Sequence, residues 1–192
     1  MPMRDFLFYF KIGWNHIISW DATDHLYFIA ALAIVYCLKD WRKLLVLVTA
    51  FTIGHAITLY LSAMDWFRFS IEWVEFAIPC TIVATAGFNF FPVQSRIWIR
   101  YAMALGFGLI HGLGYANYIR MMMSTSQNMI WNLFSFNVGL EIGQIFVVLL
   151  ILLVVEAFRQ FRSDFHKHLV VIFSLVVMLL SLKLAWERFP LF

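Results

Sequence analysis

The sequence predicts an all-α integral membrane protein: a six-transmembrane-helix bundle with an N-terminal interfacial or re-entrant helix. Three observations carry that prediction. The 192-residue chain is 63% hydrophobic and only 13% charged, against about 25% charge in a soluble domain. Its mean hydropathy is +0.83, far from the polar, highly charged range of disordered chains. Apolar windows of about 20 residues, the length a crossing needs, recur six times. Two cysteines, Cys37 and Cys80, both fall inside apolar runs. They read as small buried hydrophobes, so a disulfide scaffold is excluded. A net charge of +3 comes from loop arginines and lysines. It fits a lipid-bilayer partner and offers nothing for nucleic acid.

In chain order, residues 5–20 are aromatic-rich, with Lys11 and His16 among them, and lack the small-residue cleavage site of a signal peptide. They predict the interfacial or re-entrant helix. Spans follow at 22–38, 44–64, 69–91, 97–119, 130–157 and 168–189. Short polar connections such as Lys39-Asp40-Trp41-Arg42-Lys43 separate them. No repeat divides the chain, so 1–192 reads as a single membrane domain. Loops one, three and five carry Lys39, Arg42, Lys43, Arg96, Arg100, Arg159, Arg162 and Lys167, against Arg4, Lys11, Arg68, Arg120, Lys183 and Arg188 opposite. Eight against six favours both termini outside a bacterial cytoplasmic membrane by the positive-inside rule.

Ionisable groups inside a span cost several kcal/mol unless paired or wet, so each is a functional candidate. Span one opens with Asp21, Thr23, Asp24 and His25, after His16; span two holds His55, span three Glu72 and Glu75, span four His111, and span five Glu141. His55 falls about 18 Å above Lys43 and His111 roughly 20 Å above Ile97, at 1.5 Å per residue. Asp24, His25 and Glu75 lie within two turns of the outer face, and Glu141 comes out near the middle. Alternation alone therefore brings acids and imidazoles of five spans to one half of the bundle.

Helical spacing refines the picture. Asn137, Glu141 and Gln144 stand at i, i+4 and i+7 and form one polar stripe. Glu75 and Asn89 share nearly one face of span three, and Thr52 stands one turn from His55. Gly108 and Gly112 flank His111 as a small-xxx-small pair that admits a neighbouring backbone. Plain structural roles suit others: Asp21 or Thr23 as caps of span one, Glu72 as a solvated rim residue, His166 and His168 as loop residues, and Met121-Met122-Met123 as lipid-facing or loop packing. Imidazoles with carboxylates and no nearby thiolate suit zinc, nickel, cobalt or iron(II) rather than copper(I) or an iron–sulfur cluster.

His16 with Asp24-His25-Leu26-Tyr27-Phe28, Phe51-Thr52-Ile53-Gly54-His55, Val74-Glu75, Gly106-Phe107-Gly108-Leu109-Ile110-His111-Gly112, and Phe136-Asn137-Val138-Gly139-Leu140-Glu141-Ile142-Gly143-Gln144 resemble the HupE/UreJ family. Those are small membrane proteins associated with hydrogenase and urease maturation and regarded as nickel or cobalt permeases. The resemblance implies a metal-ion cargo, metalloenzyme maturation proteins as partners, and Asp24, His25, His55, Glu75, His111 and Glu141 as site positions. The first implied function is a permease for a divalent metal, nickel or cobalt. There His16, His25, His55 and His111 bind the ion, Asp24, Glu75 and Glu141 compensate its charge, and Asn137, Gln144 and Asn89 support them.

Two other classes stay open at this point. One is an intramembrane hydrolase of lipid or peptide, with zinc on the same histidines and Glu75 or Glu141 as catalytic base. The other is a haem protein with His55 and His111 as axial ligands, which the surrounding carboxylates disfavour.

Overall fold

A computed structural model describes residues 3–19, 22–91, 97–123, 128–161 and 165–190. Among them the chain forms seven α-helices: α1 Met3–Ile18, α2 Thr23–Ala33, α3 Trp41–Ala63, α4 Ile71–Phe88, α5 Ile97–Met123, α6 Met129–Phe161 and α7 Phe165–Glu187. Helix is what an apolar chain in lipid must adopt, because each backbone polar group then finds a partner within its own segment. Five of the helices, α3 to α7, are long and apolar enough to cross a membrane. The protein is a multi-pass membrane protein.

The first crossing differs from the expectation of one helix over 22–38. α2 has only 11 residues, about 16 Å of helix, too short to span alone. It is preceded by α1, the N-terminal helix that the sequence predicts, which packs along α6. Gly13 of α1 packs directly on the backbone of Phe136 and Leu140 in α6, while Ile34, just after α2, clusters with Val155 and Val170. From Phe136 to Val155 helix α6 rises about 28 Å at 1.5 Å per residue, close to the hydrocarbon thickness of about 30 Å. Together α1 and α2 track α6 through that depth as one interrupted crossing, a device known where irregular backbone lines a cavity. Thr23 is not a cap: it opens α2, and the N-cap residue Ala22 offers no side-chain bond. Asp21, like Arg96 and Arg162, lies outside the described residues.

Small residues set the closest packing. A Cβ at Gly108 would overlap the Phe51 carbonyl, one at Gly112 the Thr58 hydroxyl, and one at Gly54 the Leu105 carbonyl. α3 and α5 therefore meet backbone to backbone, as the small-xxx-small pair predicts. Gly13 and Gly139 do the same for α1 and α6. Pro79 sits inside α4 and supplies no N–H to the Glu75 carbonyl one turn earlier. At its C-terminus α3 ends in a turn where Asp65 takes a positive φ of 59°, a conformation aspartate tolerates. Arg68 bonds Asp65 at 2.6 and 2.7 Å. Those bonds hold the carboxyl below its usual range.

Arg100, expected in a basic loop, is instead 4% exposed within the bundle. It donates to Asn89 Oδ1 and to the Phe88 carbonyl, each at 3.1 Å. Asn89 in turn donates to the Ala31 carbonyl at 2.7 Å and to Ser174 at 3.1 Å. This knot ties α2, α4, α5 and α7 together, and it removes Arg100 from the loop charges that argue for orientation. Cys37 and Cys80 are free thiols.

Candidate metal centre

Four imidazoles from four helices converge. His16 comes from the last turn of α1, His25 from the first turn of α2, His55 from the middle of α3, and His111 from α5 beside its glycines. Ring centroids of His16 and His25 are 4.5 Å apart, those of His16 and His55 5.9 Å, and those of His25 and His111 5.1 Å. The donor nitrogens of His16, His25 and His55 all lie within 4.8 Å of one another. Around a tetrahedral ion with bonds near 2.1 Å, nitrogens stand about 3.4 Å apart, a difference small side-chain rotations close. His55 is 0% exposed and His111 1%.

Such buried nitrogens normally find partners. Among the described residues His16 Nε2, His25 Nε2, both nitrogens of His55 and His111 Nδ1 make no hydrogen bond, although the Asn137 carboxamide stands beside His55. Neutral imidazoles, each with one nitrogen lone pair, gathered this closely with few competing partners are a donor set that suits a divalent transition-metal ion.

His111 is oriented from α4. Its Nε2 lies 2.9 Å from Thr81 Oγ1, and that hydroxyl already donates to the Ile78 carbonyl at 2.6 Å. A hydroxyl has one proton, so the imidazole must donate through Nε2–H. The free lone pair is then on Nδ1. Below the imidazoles lie phenylalanines: Phe28 and Phe51 have centroids 4.8 Å apart, Phe28 and Phe107 6.3 Å, and Phe51 and His111 5.2 Å. Arg100 lies beyond them, lining a small gap with Phe28 and Phe107.

On the other side the cluster opens into a cavity of about 520 Å³ whose wall includes His16, His25, His111, Asp24, Glu75, Tyr115 and Arg188. Carboxylates here are unequal. Asp24 Oδ2 accepts from Arg188 at 2.7 Å, while its Oδ1 is buried without a partner among the described residues. Glu75 is exposed in the cavity wall. Glu141 is elsewhere: it accepts from Thr49 of α3 at 2.7 Å, next to Gln144, which accepts from Thr52 at 2.9 Å. The stripe on α6 thus clamps α3 and does not line the cavity. Asn137 donates to the Leu133 carbonyl at 2.7 Å, and Asn89 belongs to the Arg100 knot. Glu72, at the rim, accepts from Ser70.

Sequence reasoning missed Arg188 and Thr81. Alternation carries a signal for Arg188, since residues just after the last span and just before α2 share one side. For Thr81 there is none, because a threonine in an apolar helix is usually only bonded to its own backbone, as Thr81 also is.

An apolar bundle with a buried imidazole cluster that opens into a cavity, with Asp24, Glu75 and Arg188 in its wall, defines a multi-pass membrane protein whose buried donors could hold a metal ion. The family model described as HupE / UreJ protein matches residues 1–188, and the chain belongs to that family. No curated protein and no solved structure matches it.

Proposed function

We propose that the protein is a permease for a divalent transition-metal ion, nickel or cobalt, in the bacterial cytoplasmic membrane. The observation that carries the reading is the trio His16, His25 and His55, with donor nitrogens within 4.8 Å of one another, two of which, His16 and His25, line a cavity of about 520 Å³. Glu75 and Asp24 attract the hydrated ion into the cavity. The imidazoles replace its water one by one, since neutral nitrogen donors suit nickel and cobalt better than magnesium or calcium. Onward movement requires Phe28, Phe51 and Phe107 to part, so transport proceeds by alternating access, with one side closed while the other is open. Family membership supports this reading, and so does the metalloenzyme-maturation context associated with the family, which supplies proteins that would receive the ion. On this reading both termini face outward, on the side where the cavity opens.

The same histidines could hold catalytic zinc with Glu75, already in the cavity wall, as the base; Glu141, bonded to Thr49, has no such position. Liposomes carrying the purified protein and an internal nickel-sensitive dye separate the two readings. Nickel influx that is lost in His55→Ala plus His111→Ala supports the permease. Tight stoichiometric zinc without flux, together with hydrolysis of a lipid or peptide panel, overturns it.

A further inference from the structure

We propose that Arg188 is a tethered stand-in for the cargo cation, holding Asp24 at the mouth of the histidine cavity until a doubly charged ion displaces it. The proposal rests on the cation-site reading above and concerns how that site is filled. Arg188 follows directly after α7, yet its guanidinium reaches Asp24, 164 positions away in the chain, at 2.7 Å. Both residues line the cavity that holds His16, His25 and His111. Arg188 is held in place by its neighbour: Phe189 packs on Phe76 and Trp73 of α4, with centroids 5.3 and 6.4 Å apart.

The pair is half made. Arg188 satisfies Asp24 Oδ2, while Oδ1 is buried with no hydrogen-bond partner among the described residues. A carboxylate taken out of water needs both oxygens compensated, and a guanidinium carries a single charge it cannot lose. A divalent ion entering beside His25 offers twice that charge to the adjacent carboxylate, so it competes successfully for Asp24. A monovalent ion offers no more than Arg188 already supplies. Arg188 therefore acts through Asp24 as a specificity residue: it offsets the Asp24 charge when the cavity is empty and makes filling it depend on ion charge.

The test is titration of the purified full-length protein in detergent with Ni²⁺, alone and against Na⁺. Arg188→Gln is expected to bind Ni²⁺ at least about threefold tighter, the scale of one partly exposed ion pair, and Na⁺ becomes a competitor. Arg188→Lys returns toward wild type, and Asp24→Asn added to Arg188→Gln removes the gain. A merely structural arginine would give the opposite sign, weaker binding with a lower melting temperature. Should Arg188→Gln not fold, Asp24→Asn alone decides: an unpaired guanidinium beside the histidines weakens Ni²⁺ binding about tenfold or more, and a silent Asp24→Asn refutes the proposal. Wild-type binding that is lost in His55→Ala but unchanged in Arg188→Gln overturns the role of Arg188 alone. A wild type that binds no Ni²⁺ overturns both readings.

Discussion

Removing the Thr81 hydroxyl tests whether the ion is held by three imidazoles or four. Thr81→Val keeps the side-chain shape and deletes one oxygen, which at present accepts from His111 Nε2 at 2.9 Å while donating to the Ile78 carbonyl at 2.6 Å. His111 is 1% exposed, so water cannot replace the lost partner, and an orphaned buried donor costs about 1–3 kcal/mol. The ring can escape that cost by moving its proton to Nδ1 or by rotating. Either change withdraws the Nδ1 lone pair from the cluster. Residues that orient a metal-binding histidine typically change affinity by roughly 10–100-fold, and that is the expected loss in a Ni²⁺ titration of Thr81→Val. Thr81→Ser should recover most of it. If Thr81→Val binds within about twofold of wild type while His55→Ala does not bind, His111 is outside the coordination shell and the four-imidazole reasoning fails.

Two further predictions follow from the packing and the site. Gly108→Ala must push α3 from α5, because its Cβ would meet the backbone of Phe51 rather than a movable side chain; melting should report a loss of about 1–3 kcal/mol, whereas Gly106→Ala, with nothing within 4 Å, should melt at or above the wild-type temperature. His16→Ala should weaken Ni²⁺ binding more than tenfold while Glu141→Gln leaves it near wild type, since only the first contributes a nitrogen to the trio; equal effects of the two in one calorimetric series would return Glu141 to the site.

How much of this was legible in the sequence depended on whether the information was periodic. Hydropathy windows located five crossings, because apolar length is a local property that lipid enforces. Alternation alone placed His55 and His111 at one level, and the Gly108/Gly112 spacing announced the contact between α3 and α5. The stripe Asn137, Glu141, Gln144 was equally visible, but a stripe states which face is polar and not what it meets; Thr49 and Thr52 of α3 proved to be the partners of the last two. Arg100 was misplaced for a related reason. A charge three residues inside a span boundary reads as loop, and only the buried carbonyl of Phe88 and the amide of Asn89 make the position tolerable for a guanidinium.

The interruption between α1 and α2 is what makes the centre possible. His16 and His25 are nine positions apart in the sequence. In a continuous helix they would be separated by about 14 Å along the axis and would face opposite sides. No rotamer choice could bring them to one ion. Ending α1 at Ile18 and starting α2 at Thr23 instead sets their rings 4.5 Å apart and lets a single crossing contribute two ligand candidates. The halves are anchored separately, α1 by Gly13 and Gly139 against α6, and α2 by the Asn89 amide on the Ala31 carbonyl. Each anchor holds one histidine from a different part of the bundle. On the permease reading, relative movement of the two halves would pull the trio apart without unfolding either one, a route to release that a rigid helix would deny the ion.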